Sequence, residues 1–288
     1  MPEELDELNR LFTSKNVEDV IKFYDHFDTP DQLIEWMKNR PSAPMKIYEV
    51  EGEKDLVVII PTNNHNGQFA KNCKDVFKGL QIVFVESNGP FFNYARSCNY
   101  GFKYALKYNP KWIILSGHDV SNLDDISNLK YNLLKFTEYD LLILSPKFGH
   151  SFFSSISKKT FLVDTYWKFK DNEYFNLFKK FGITYFTPTL KLRRRLFYKP
   201  IYKFFSFTNF ACFNYSLVKK LDGNIFDPVF INGSEDIFFC YKSYINKYKL
   251  KLIDYNLGNL DRSTLGTGRI RLLHSFASLV YLNFLFNY

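Results

Sequence analysis

The sequence predicts an α/β protein built on a doubly wound, mostly parallel open sheet with flanking helices, preceded by a small helical appendage. Two observations carry the sheet. The apolar runs "DLVVIIP" (55–61), "LQIVFVES" (80–87), "KWIILSGHDV" (111–120) and "YDLLILSP" (139–146) are continuous rather than alternating, as strands covered on both faces require. Helical stretches separate them: "GQFAKNCKDVFKGL" (67–80), "NYARSCNYGFKYALKY" (93–108) and "LDDISNLKYNLLKFTE" (123–138). A third observation sets the first residues apart, because they read as helices with their own start signals.

In chain order, "NVEDVIKFYDHF" begins at Asn16 and places Val20, Phe23, Tyr24 and Phe27 on one face. "TPDQLIEWM" has Thr29 as N-cap, Pro30 at the first helical position and Gln32 at the third, the capping-box pattern. "NRPSAP" (39–44) closes this region, so 1–45 reads as an N-terminal appendage and 46–268 as the main domain. Within that domain 147–210 is basic and aromatic with weak periodicity, and reads as an acceptor-side insertion. "NFACFNYSLVKKLDGNIFD" and "SEDIFFCYKSYINKYKLKLIDY" return to strand and helix patterns. The tail 269–288 is apolar after Arg271, but it is short for a membrane span and interrupted by His274, Ser278 and Asn283. It reads as a helix that is buried or lies on a membrane surface.

Composition narrows the class. The aromatic content of 19% with few Gly and Pro argues for a packed globular chain of 288 residues. The net charge of +8 is uneven: residues 1–55 hold 14 acids against 7 bases, which leaves about +15 on the rest. No acid occurs between Glu173 and Asp222, a stretch that includes Arg193, Arg194 and Arg195. Such a surface attracts phosphates, on nucleotides, lipid head groups or nucleic acid. The basic-aromatic run 191–205 lacks an RNA- or DNA-binding signature, so an anionic membrane surface or a solvated loop ranks above nucleic acid. Cys73, Cys98, Cys212 and Cys240 form no CxxC and read as reduced thiols. With acids rather than a basic, apolar leader at the start, the expected location is cytoplasmic, with peripheral attachment to the inner face of a membrane as an option.

In an open α/β sheet, ligands bind outside the carboxyl ends of the strands, so "PTNN", "ESNG" and "SGHD" should converge there. Pro61, Thr62 and Asn63 offer backbone and small polar groups to a nucleobase, or form an ordinary turn. Glu86 is a hydrogen-bond acceptor at a strand end, or a solvated strand end. "VVIIPTNN", "IVFVESNG", "NYARSCNYGFKYA", "WIILSGHDV" and "GSEDIFFCYKS", taken in order, resemble the family 2 glycosyltransferases with the GT-A fold, over roughly 55–262.

That resemblance implies inverting sugar transfer (a hexosyltransferase-like activity) from a UDP- or GDP-linked sugar to a glycan, lipid-linked or protein hydroxyl. It implies nucleotide contacts at Pro61, Thr62, Asn63, Glu86, Asn93, Arg96 and Asn99, although Arg96 is displaced from the family's usual position. It implies Mn²⁺ or Mg²⁺ on the diphosphate, held through Asp119, the retained carboxylate of a degenerate Asp-x-Asp in which Gly117 replaces the first acid. His118 is an extra ligand or a ring turned back into the sheet, and Asp261 stands in for a late His. Asp236 becomes the general base, with Glu235 orienting it, at a helix start that Ser234 caps. The alternative is a GT-A-like module that binds nucleotide or sugar and has lost catalysis.

Overall fold

The computed structural model describes residues 2–122, 124–158, 176–178, 180–182, 185–186, 202–260 and 268–287. Its helices are α1 (Pro2–Phe12), α2 (Val17–Asp25), α3 (Pro30–Asn39), α4 (Gln68–Val76), α5 (Tyr94–Ala105), α6 (Ile126–Lys135), α7 (Tyr215–Lys220), α8 (Glu235–Ile245) and α9 (Arg269–Asn287). Its strands are β1 (Met45–Val50), β2 (Glu53–Thr62), β3 (Leu80–Ser87), β4 (Trp112–Ser116), β5 (Val120–Asn122), β6 (Leu141–Leu144), β7 (Ser151–Lys158), β8 (Tyr185–Phe186), β9 (Tyr202–Phe207), β10 (Phe210–Asn214), β11 (Leu250–Ile253) and β12 (Leu257–Asn259).

The central sheet has seven strands in the order β1-β3-β2-β4-β10-β6-β11. β2, β3, β4, β6 and β11 run one way; β1 and β10 run the other. The α/β class and the mostly parallel sheet therefore stand. Alternate residues of β2 explain the continuous apolar run: Val57 and Ile59 enter one core with Cys98 and Phe102 of α5, while Leu56, Val58 and Ile60 enter another with Cys73 of α4 and Leu129 of α6. Gly101 lets α5 lie close to the sheet, since a Cβ there would sit 2.4 Å from Ile59 Cγ2 and 2.9 Å from Val85 Cγ2.

β4 ends at Ser116, so "SGHD" stands at a strand end as expected, and Val120 begins β5, which pairs with β12 outside the main sheet. The break falls where the Gly117 amide donates to Asn209 O at 2.6 Å. Ser234 does not cap α8 with its hydroxyl, because its backbone is left-handed, with φ 69°.

The capping box at Thr29 and Gln32 forms as read, and Asn16 caps α2. The two chain ends share a third core. Phe12, Phe23, Tyr24 and Trp36 pack with Leu273, Phe276 and Val280 of α9, and Tyr24 donates its hydroxyl to Leu273 O at 2.5 Å. The apolar tail is thus buried against the N-terminal helices. Among the described residues no helix is long and apolar enough to cross a membrane.

Candidate functional site

β2 and β4 lie side by side in parallel, so their ends bring Thr62 and His118 together, with Thr62 Oγ1 3.1 Å from His118 Nδ1. The His118 ring is buried and stacks on Phe69 at 4.9 Å. Its Nε2 is buried without a partner. Burial pulls its pKa down, against the pull of Asp119 in the other direction. His118 is therefore turned inward. Asp119 beside it is half-buried, and its carbonyl accepts from the Leu260 amide at 2.7 Å. A Cβ on Gly117 would stand 2.8 Å from Asp119 Oδ1 and 3.1 Å from Asn209 Cβ, so the space of the missing first acid is filled. Asn209 is in turn bonded to His150, a buried ring whose Nε2 also reaches Leu257 O at 2.6 Å.

On the other side of β2, the end of β3 presents Glu86. Its Oε2 accepts from the His65 backbone amide at 2.9 Å and from His65 Nδ1 at 2.6 Å. The His65 ring stacks on Tyr48 of β1, with centroids 3.4 Å apart and planes 8° from parallel. Burial raises the Glu86 pKa, but the two His65 donors and Lys46 prevail and leave it lowered. Pro61 is buried in β2, whereas Asn63 is exposed with its carbonyl facing Asn88 Nδ2 at 3.4 Å.

Asn93, Arg96 and Asn99 face different work. Asn93 caps α5 by accepting from the Arg96 amide, and its Nδ2 donates to Phe230 O at 2.6 Å. Asn99 makes a two-way bond to the Phe226 backbone, at 2.7 and 2.9 Å. Arg96 reaches Ser42 and Pro41 O in the segment before β1. The Asn93 and Asn99 amides are thus committed to backbone groups, and the Arg96 guanidinium leans on residues 41–42.

The turn that Asn93 and Asn99 hold leads into the acid pair. Arg40, also buried, donates to Pro228 O at 3.1 Å, Val229 O at 3.1 Å and Phe230 O at 3.0 Å. From α9, Ser278 accepts from the Ile231 amide at 2.7 Å and Tyr281 donates to Asp227 at 2.8 Å. Asn232 donates to Phe92 O and accepts from the Tyr94 amide. Asn232 and Ser234 both have positive φ, 51° and 69°.

Glu235 and Asp236 open α8. Glu235 is buried, and its Oε2 has no hydrogen-bond partner. Burial raises both carboxyls, and for Asp236 the neighbouring Glu235 raises it further, while backbone amides oppose. Tyr94 lies near the pair with its hydroxyl buried beside Cys98, and burial raises its pKa. Cys240, one turn on, interacts with Ser206 and the Phe207 backbone. Cys240 thus ties α8 to the end of β9, and Asn209, two residues beyond that strand, accepts from the Gly117 amide.

Sequence reading missed His65, Tyr48, His150, Asn209 and Arg40. His65 directly follows the quoted segment "PTNN" and is the one most open to discovery. Among the described residues no group of three His, Cys, Asp or Glu side chains is arranged to hold a metal ion, and Asp261 lies outside the described residues. The described donors do not fit a cation cage: Asp119 supplies one carboxylate, and His118 turns Nδ1 to Thr62. No family model and no curated protein matches the chain. Among solved structures, A197 from STIV is similar over 74% of this chain and 98% of that one, at 10% identity and a TM-score of 0.36.

Proposed function

We propose that the chain is an inverting glycosyltransferase of the GT-A type that uses a nucleotide-diphosphate sugar. The observation that carries this reading is the acid pair at the start of α8, Glu235 buried and Asp236 partly buried, on a helix whose Cys240 meets the strand that leads to Asn209 and Gly117. A carboxyl raised toward neutral pH is suited to take a proton and return it to solvent. In the reaction Asp236 accepts the proton of the acceptor hydroxyl as that oxygen bonds to the anomeric carbon. The bond from that carbon to the diphosphate breaks with inversion, and the nucleoside diphosphate leaves with the electron pair. Glu235, raised by burial and with its Oε2 unpartnered, sets the field in which Asp236 titrates. The resemblance also implies Mn²⁺ or Mg²⁺; the described donors do not complete its shell, and no step here runs through it.

The test is hydrolysis or transfer with UDP- and GDP-sugars. Asp236→Asn is expected to lower kcat by roughly 10²- to 10⁴-fold while nucleotide binding persists. Asp119→Ala is expected to lower turnover as well. Full activity in both variants would end this assignment. The second reading, a binding module without catalysis, is favoured by Gly117, whose missing side chain leaves Asp119 without a paired acid. UDP or GDP binding with no turnover on any acceptor would select it.

A further inference from the structure

His65 is held in three ways. Its backbone amide and its Nδ1 both donate to Glu86 Oε2, at 2.9 and 2.6 Å, and Tyr48 covers one face of the ring. A carboxylate only accepts, so Nδ1 carries the hydrogen and the neutral ring has its lone pair on Nε2. That atom meets no partner among the described residues, and the side chain remains 21% exposed. The pinning of the loop is complete without Nε2. A ring fixed beforehand, with a free acceptor at the carboxyl end of a parallel pair, is an arrangement prepared for a ligand.

We propose that His65 Nε2, oriented by Glu86 and Tyr48, accepts a hydrogen bond from the nucleoside of the bound nucleotide, from a ring N–H of the base or a ribose hydroxyl. This rests on the nucleotide-sugar reading above and adds a contact to it. Glu86, whose Oε2 already takes two bonds from His65, then acts mainly through the imidazole rather than as the principal acceptor.

The experiment is calorimetric titration of the full chain with UDP and GDP, carrying forward the tighter of the two. His65→Asn keeps a donor at the δ position and loses the ε atom; His65→Gln keeps a polar atom at the ε position. One net hydrogen bond corresponds to about 3- to 10-fold in affinity, so His65→Asn should weaken binding by about that factor and His65→Gln by less. The 2′-deoxy nucleotide and the base methylated at its ring N–H identify the donor. The analogue that lacks it should bind wild type more weakly and lose nothing further in His65→Asn. Equal binding by wild type and His65→Asn, with both variants melting as wild type, overturns the proposal and leaves the nucleotide-sugar reading standing. Failure of wild type to bind either nucleotide overturns both. Binding that shows the His65 effect without turnover removes the catalytic reading alone.

Discussion

Thr62 and His118 meet at 3.1 Å because β2 and β4 end side by side, whereas Glu235 and Asp236 are carried by a turn that no sheet holds. On the first side the ladder sets positions, and each polar residue needs only a local bond, as His65 has with Glu86. On the second side, residues 226–234 include two left-handed positions without glycine, Asn232 and Ser234. Such a backbone persists when its surroundings over-determine it. Here they come from α5 through Asn93 and Asn99, from the segment after α3 through Arg40, and from α9 through Ser278 and Tyr281. The difference teaches that the chain ends help to build the turn that presents the acid pair, although the sequence resemblance, over roughly 55–262, leaves them out.

The largest effect should come from Arg40→Met. It strips donors from the carbonyls of Pro228, Val229 and Phe230 in a buried setting, where each unsatisfied group costs about 1–3 kcal/mol. A loss of about 3 kcal/mol in urea unfolding is expected. Hydrogen exchange should quicken in 226–236 and stay slow in β2, β3 and β4. Uniform quickening across the sheet would mean that Arg40 supports the whole fold and that the two sides are not separable.

Glu235→Gln tests the comparison with the opposite sign. Both acids of the pair have raised pKa values in the fold, so between about pH 4 and neutrality the folded state holds more protons than the unfolded chain. Their contribution is therefore most favourable at low pH and declines as pH rises through the folded pKa values. Removing the ionisable group should raise stability by about 2 kcal/mol at pH 8 and by nothing near pH 4. Glu86 behaves in the reverse sense. Its lowered pKa makes its contribution present above the ordinary carboxylate range and lost as pH falls through the lowered value. Urea midpoints at the two pH values decide it; a gain at pH 4 equal to that at pH 8 would show that packing, not charge, is responsible.

The legible part of this molecule is the part built by short-range pattern. The buried run from Leu56 to Ile60, the Thr29–Pro30–Gln32 start and the face of Val20, Phe23 and Tyr24 each state their structure in a few consecutive residues. β1 is not legible, because its half-buried edge pattern lacks the continuous apolar signature. Arg40 looks like a boundary residue in the sequence, since its partners are backbone carbonyls some 190 positions away and no side chain announces them. Whether 269–288 would meet protein or bilayer was equally open: Tyr24, which bonds to Leu273 O, looked like any other aromatic on the face of α2. Of the site, the acid pair and strand ends were visible as residue types. The use of Asn93 and Asn99 on backbone was not, because an Asn at helical spacing looks the same whether it faces a ligand or a turn.

Gly117 offers the smallest effect and the finest distinction between the two sides. A Cβ there would crowd Asp119 Oδ1 at 2.8 Å and Asn209 Cβ at 3.1 Å. The carboxylate is the end of a side chain and can turn away, but Asn209 is held by His150 and by its carbonyl bond to Gly117. Gly117→Ala should therefore cost about 1 kcal/mol, the low end for overpacking. Gly117→Asp adds a like charge beside Asp119 and should cost more at neutral pH than at low pH. It restores the acid that the resemblance expects, yet it displaces the acid already present. Calorimetry with Mn²⁺ reads the outcome: no gain in affinity is expected from Gly117→Asp. A tenfold tightening with unchanged stability would mean that the strand end has room for a paired acid, and that the sheet fixes this side less closely than the contacts at Gly117 indicate.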